Sequence, residues 1–199
     1  MEKEEDKLQK IIEIEKQLGE IQDVDVLLER ILTETRKIVN ADAGSIYVTE
    51  GQKLKIKYGQ NDTHLKELAP GEKLPYTCFA FPINEKSICG YVASTGKPLN
   101  IHDVYEISED QPYKFNKNTD LTTDYRTKSM YTLPLRMANG NLLGVLQIIN
   151  AKDLDGTVIP FDDEAELLIT HFASSAVQAL QHLLQFGNLV LNQSCRYPI

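Results

Sequence analysis

The tetrad Ala138-Asn139-Gly140-Asn141 divides two strand-like arms, Ser129 to Met137 and Leu142 to Asn150, and this feature most narrows the folds open to the chain. Asn-Gly favours the left-handed backbone of a tight hairpin turn, so the arms are expected to pair antiparallel. The second arm is apolar almost throughout, as in a central strand covered on both faces. One polar residue, Gln147, interrupts it. An unpaired buried amide costs about 1–3 kcal/mol, so protein, water or ligand is expected to meet Gln147.

The other elements fit around that strand. Gly44 to Val48 and Lys53 to Tyr58 alternate about a Glu50-Gly51 turn, which reads as another hairpin with one polar face. Val24, Leu27, Leu28, Ile31, Thr35, Ile38 and Val39 form one face of a helix that Asp23 or Asp25 caps. Pro160 and Asp162 open a long helix with an apolar stripe from Ala165 to Leu183, ending near Gly187. Between the hairpins lie an extended connection at Phe79 to Ile83, a short helix over Ser87 to Ser94 closed by Gly96, and a short strand at Leu99 to Ile101. Residues 103–127 are polar and show no period. A loop of that length lying over a sheet is a candidate lid. The order predicts an α+β fold, with an antiparallel sheet, the end helices on one face and the lid on the other.

Near the N-terminus Ile11, Ile14, Leu18 and Ile21 are spaced 3, 4, 3, a short heptad seam. It suits a helix packed on its own domain or a dimer helix equally. The expected organisation is a helix over 1–22, a domain over 23–186 and a tail or linker over 187–199.

A chain of 199 residues supports one full core. Its net charge of −8 argues against nucleic acid or an anionic membrane as partner. No apolar run approaches the roughly 20 residues that span a bilayer. The acidic start, Met1-Glu2-Lys3-Glu4-Glu5-Asp6, is the opposite of a signal peptide, so a cytoplasmic location is expected. Cys78, Cys89 and Cys195 show no zinc or redox spacing, and the four histidines include no pair spaced to share a metal. No metal or cofactor is expected.

Three segments carry a family resemblance: "GYVASTGKPLNIHDVY", "TDYRTKSMYTLPL" and "GNLLGVLQIINAKD". In this order and spacing they resemble the GAF domains of cyclic-nucleotide phosphodiesterases and their bacterial relatives, from about Val24 to Gln185. The resemblance implies a six-stranded antiparallel sheet, dimerising helices at both ends and a small ligand under a lid, with cyclic AMP or cyclic GMP leading. It also implies a homodimer and an output module elsewhere in a longer polypeptide. The Asn-Lys…Phe…Asp-Glu signature of the cyclic-nucleotide binders is degenerate here: Asn150 matches, Ala151 stands where Lys is expected, Val158 at the Phe and Asp163 at the Glu.

Carried over by position, the resemblance implies a binding set. Ser45 would meet the base edge and Tyr58 stack on the purine, while Gly59 stands where relatives often have a base-reading Asp. The amides of Ile88 and Cys89, at a helix start, would meet phosphate. Asp120, Thr123 and Thr127 would line the lid, and Gln147 would face the ribose. Plain alternatives stand beside each. Ser45 can satisfy nearby backbone, Tyr58 can be core, Cys89 can be a small buried group, and Asp120, Thr122 and Thr123 can cap a short helix over Leu121 to Arg126. The stretch "DLTTDYRTKSM" (residues 120–130) offers the mixed donors and acceptors that a ribose and a base edge need.

Two other functions compete with a ligand sensor. One is a GAF domain that only dimerises. The other is an enzyme of the free-methionine-sulfoxide reductase type, for which Cys78 and Cys89 are the available pair. That chemistry needs a thiolate of lowered pKa, and no cationic cluster surrounds either cysteine, so a non-catalytic regulatory role is expected.

Overall fold

The computed structural model describes residues 2–67 and 80–186. Cys78, Cys195 and the tail at 187–199 lie outside the described residues. The chain opens with two helices, α1 (Glu2–Glu20) and α2 (Val24–Ile38), and a hairpin of β1 (Ala41–Glu50) and β2 (Lys53–Asn61). The short α3 (Asp62–Glu67), β3 (Ala80–Pro82), α4 (Ile88–Thr95) and β4 (Leu99–Ile101) follow. The α5 helix (Lys117–Thr123) precedes the second hairpin, β5 (Met130–Arg136) and β6 (Leu142–Lys152). The two-residue β7 (Val158–Ile159) leads into α6 (Asp163–Phe186).

Six strands pair antiparallel in the order β3-β2-β1-β6-β5-β4, and β7 adds to the end of β6. The expected α+β fold with its six-stranded sheet is therefore present. The apolar arm at β6 is central, as its composition requires, with β1 on one side and β5 on the other. Gly144 is needed there: a Cβ at that position would stand 1.9 Å from the Tyr47 carbonyl oxygen on β1.

Helix ends follow their local chemistry. The Asp23 carboxylate accepts from Asp25 N and Val26 N at 2.8 and 3.0 Å and starts α2. Ser87 Oγ accepts from Gly90 N at 3.1 Å and starts α4, which Gly96 closes in the left-handed region. Asp162 caps α6 through Ala165 N.

The main core lies on one face of the sheet. There α1, α2 and α6 cover Ile46, Leu133, Leu146 and Ile148. The N-terminal seam belongs to this core, since Ile14 and Leu18 are buried among α2 and α6 residues. Of the two uses of that seam, the structure fills the intramolecular one. The outward pair on α1, Leu8 and Ile12, stays exposed. On the opposite face α4 packs Cys89 and Val92 on Tyr47, Leu54 and Val145. Beyond it Ile88, Val104 and Tyr113 gather around Met130.

The polar segment at 103–127 does cross this second face, and part of it is helical. The helix α5 runs from Lys117, capped by Asn116, so Asp120, Thr122 and Thr123 sit inside it and do not cap a later one. Thr122 Oγ1 and Thr123 Oγ1 donate back to the carbonyls four residues earlier.

Candidate functional site

A cavity of about 140 Å³ lies between the second face of the sheet and the roof made by α4, α5 and the residues after it. Ser45, Ile88, Cys89, Asp120, Thr123, Thr127 and Gln147 all line it. These seven come from β1, α4, α5, the lid exit and β6. The fold thus brings residues from separate stretches of the sequence to one cavity wall.

Tyr58 is not among them. The β1–β2 pairing shifts between Ile46 and Tyr47: Tyr47 faces Ile56, Ile46 faces Tyr58, and Lys57 is the extra residue. A bulge reverses the facing of every residue beyond it. Tyr58 therefore packs on the helical face with Ile46. Burial, reinforced by Asp25 beside its hydroxyl, pushes the phenol pKa up. Lys57 pairs with the same Asp25 at 3.0 Å. Tyr58 is a packing residue next to α2, outside the cavity wall. Tyr47, Phe81 and Phe115 line the cavity, the first two with ring centroids 5.8 Å apart.

The polar residue on β6 finds partners on the cavity floor. Gln147 Nε2 donates to Thr132 Oγ1 at 3.2 Å and approaches Met130 Sδ at 3.0 Å and Cys89 Sγ at 3.3 Å. Its Oε1 meets no donor among the described residues, which leaves an acceptor for a ligand. The Cys89 thiol is buried at the cavity wall, and that burial pushes its pKa up to about 12, against a smaller opposing pull from Gln147.

The lid residues brace one another. The Asp120 carboxylate accepts from Thr127 N at 2.8 Å, Thr127 Oγ1 at 2.8 Å and Tyr105 OH at 3.0 Å. Arg126 stacks over the Tyr105 ring, 3.4 Å from its centroid, and Lys117 approaches the same ring at 4.9 Å. Asp120 and Thr127 thus fix the roof's shape. Above the start of α4, Lys114 N donates to Lys86 O, and the Ser87–Lys114 bridge draws the lid onto that helix. Lys114 Nζ is held by the carbonyls of Ser108 and Glu109 at 3.2 and 2.8 Å.

Groups at the end of the cavity are absent from the set expected from sequence. Tyr125, just after α5, lines it, as does Asn61 at the end of β2. Asn61 Oδ1 caps α3 through His64 N, and its Nδ2 is buried without a partner. Tyr125 OH donates to Asp42 Oδ2 at 2.8 Å. Burial acts to raise the Asp42 carboxyl, but hydrogen bonds from Lys152, Thr63 and Tyr125 outweigh it and hold the pKa low. The signal available in the sequence was a tyrosine inside the dense "DLTTDYRTKSM" stretch.

Residues 23–180 match the sequence model of the GAF domain. The chain belongs to the GAF domain family. It is 31% identical over 140 residues to the probable 3',5'-cyclic phosphodiesterase pde-5 of Caenorhabditis elegans, covering 67% of this chain and 18% of that protein. It is 31% identical over 173 residues to the dual 3',5'-cyclic-AMP and -GMP phosphodiesterase 11A of Takifugu rubripes, covering 83% and 18%. The GAF chain thus spans less than a fifth of these relatives. Among solved structures, the GAF domain of a phosphoenolpyruvate-protein phosphotransferase from Coxiella burnetii superposes with a TM-score of 0.66 at 16% identity, covering 92% of this chain and 97% of that one. The free methionine-R-sulfoxide reductase from Neisseria meningitidis, solved with its substrate, superposes with a TM-score of 0.64 at 15% identity, covering 88% of each. Those identities carry the fold alone. No helix among the described residues is long and apolar enough to cross a membrane.

Proposed function

We propose that this GAF domain is a regulatory sensor that binds a small nucleotide-like ligand between sheet and lid, with cyclic AMP and cyclic GMP the first candidates. Lid position is then passed through the end helices to an output module in a longer polypeptide. One observation carries the reading: seven residues from separate stretches converge on one cavity between the central strand and a hydrogen-bonded lid. The similarity to cyclic-nucleotide phosphodiesterases supports the choice of ligand. Gln147 Oε1 supplies an acceptor, and the hydroxyls of Ser45 and Thr123 line the same space. An α-helix leaves its first amides without intrahelical partners, so the start of α4 suits an anion.

The cavity volume sets a condition on binding. About 140 Å³ is close to an engineered cavity that holds one benzene, and drug-sized ligands occupy roughly 300–1,000 Å³. A cyclic nucleotide is therefore expected to displace the lid outward as it enters. The lid is held by hydrogen bonds, worth about 0.5–1.5 kcal/mol each net of water, and by the packing of Val104 and Tyr113 around Met130. Homodimerisation through α1, α2 and α6 is part of the proposal. Since Ile14 and Leu18 are occupied, it would draw on exposed side chains such as Leu8, Ile12 and Leu167.

Calorimetric titration of cyclic AMP and cyclic GMP tests the ligand, with Thr127→Ala as the variant. Losing Thr127 Oγ1 removes a brace on Asp120 and is expected to weaken binding about two- to tenfold. Absence of heat with both nucleotides would count against the assignment. The compact cavity favours one second reading, a GAF domain that pairs copies without a ligand. In that case both nucleotides are silent while sedimentation still shows a dimer. Catalysis is disfavoured by the Cys89 thiol, which is protonated at neutral pH and so is a poor nucleophile.

A further inference from the structure

We propose that the hydrogen bond from Tyr125 to Asp42 is a latch on the lid, and that the Asp42 carboxylate hands the lid's position to the junction of α2 and β6. This rests on the reading of the cavity as a ligand site, because it is ligand entry that requires the lid to move. Tyr125 stands where the lid leaves α5, just after Asp124, which turns the chain in the left-handed region at φ 48°. Its ring packs edge-on against His64 of α3 at 5.3 Å. Its hydroxyl donates to Asp42 Oδ2 at 2.8 Å and accepts from Asn150 Nδ2 at 2.9 Å.

Asp42 is 5% exposed and serves three elements at once. Oδ2 also accepts from Thr63 Oγ1 of α3 at 2.7 Å, and Oδ1 binds the ammonium of Lys152 at the end of β6. Lys152 is in turn stitched to the end of α2: its N–H donates to Asn40 O at 2.9 Å, and Asn40 Nδ2 donates to its carbonyl at 2.7 Å. Asn150, at φ 56°, closes the other side, with Nδ2 donating to Arg126 O and Oδ1 accepting from Lys128 N. Lid, α3, β6 and the end of α2 are therefore linked through one carboxylate. Lifting Tyr125 out of the cavity wall strips a donor from Asp42, and the remaining partners, Lys152 and Thr63, must shift to satisfy a buried anion. Lys152 also lies in the strand that leads through β7 to α6. The route thus reaches two elements of the helical layer, α2 and α6.

Hydrogen exchange followed by mass spectrometry on the ligand-free chain tests this without any nucleotide. Tyr125→Phe keeps the ring against His64 and deletes the hydroxyl alone. Tyr105→Phe is the control, because it removes a lid hydrogen bond to Asp120 that does not touch Asp42. With Tyr125→Phe, amides at 117–128 and at both 39–42 and 150–153 are expected to exchange about two- to tenfold faster, the range for one lost hydrogen bond. With Tyr105→Phe only the lid should speed up. A Tyr125→Phe protein whose α2–β6 junction exchanges at the wild-type rate overturns the proposal, as does a Tyr105→Phe protein that loosens the junction equally. Failure of every nucleotide to bind would count against the ligand reading, whereas the latch stands or falls on the exchange rates.

Discussion

Leu18→Ala separates the two uses of the N-terminal seam. Leu18 is 2% exposed and packs among α2 and α6 residues. Buried Leu→Ala changes cost roughly 2.7–5.0 kcal/mol, with the smaller values where the site can collapse. A value toward the lower end of that range, about 3 kcal/mol, is expected here. For a domain of this size that lowers Tm by about 6–12 °C, at roughly 2–4 °C per kcal/mol. Leu8→Ala, at a position 58% exposed, should change stability by less than about 0.5 kcal/mol. The assay is urea denaturation at two protein concentrations about twentyfold apart. An intramolecular seam lowers the Leu18→Ala midpoint equally at both, because no association is coupled to that contact. A variant that keeps its stability but changes from dimer to monomer would refute the reasoning and return the seam to the interface.

Gly144→Ala drives a Cβ into the Tyr47 carbonyl and is expected to cost about 3 kcal/mol or more, whereas Gly140→Ala, with open space around it and φ 86°, should cost about 1 kcal/mol; equilibrium unfolding ranks the two. Cys89 stays protonated in the fold up to about pH 12, while the thiol of the unfolded chain ionises near pH 9. Its raised folded pKa therefore supports stability fully below about pH 9, and this support is lost as pH climbs toward 12. A Cys89→Ala variant should show a flatter decline of stability over that window. At neutral pH iodoacetamide should label Cys89 only as fast as the fold opens, and rapid labelling of the native protein would contradict its burial.

What could be read from the sequence was whatever local chemistry decides. Asn139-Gly140 fixed one hairpin, and the apolar run at β6 fixed the centre of the sheet, because each signal is complete within a few residues. The same is true of the caps at Asp23 and Ser87. Tyr58 escaped because its facing depends on one extra residue, Lys57, and period-2 alternation carries no mark of a bulge. The α5 helix escaped because its polar side chains leave no apolar period, and the threonines inside it donate back to their own helix. A 3, 4, 3 seam reads the same whether the partner is another chain or the same one, so only packing could assign Ile14 and Leu18. Gln147 was legible as a residue needing partners, but two of those partners being sulfur atoms was not. The Asp42 cluster unites β1, α3, the lid and β6, and no short window of sequence contains that set.

The most direct test of the ligand site is a titration of ¹⁵N-labelled protein with cyclic GMP and cyclic AMP, read as amide shifts residue by residue. Saturable shifts are expected for at least one nucleotide, largest at Ser45, Cys89, Thr123, Thr127 and Gln147, with Tyr58 nearly still. Shifts centred on Tyr58 and α2, or none at millimolar nucleotide, on the order of the weakest useful affinity, would contradict a ligand held between sheet and lid.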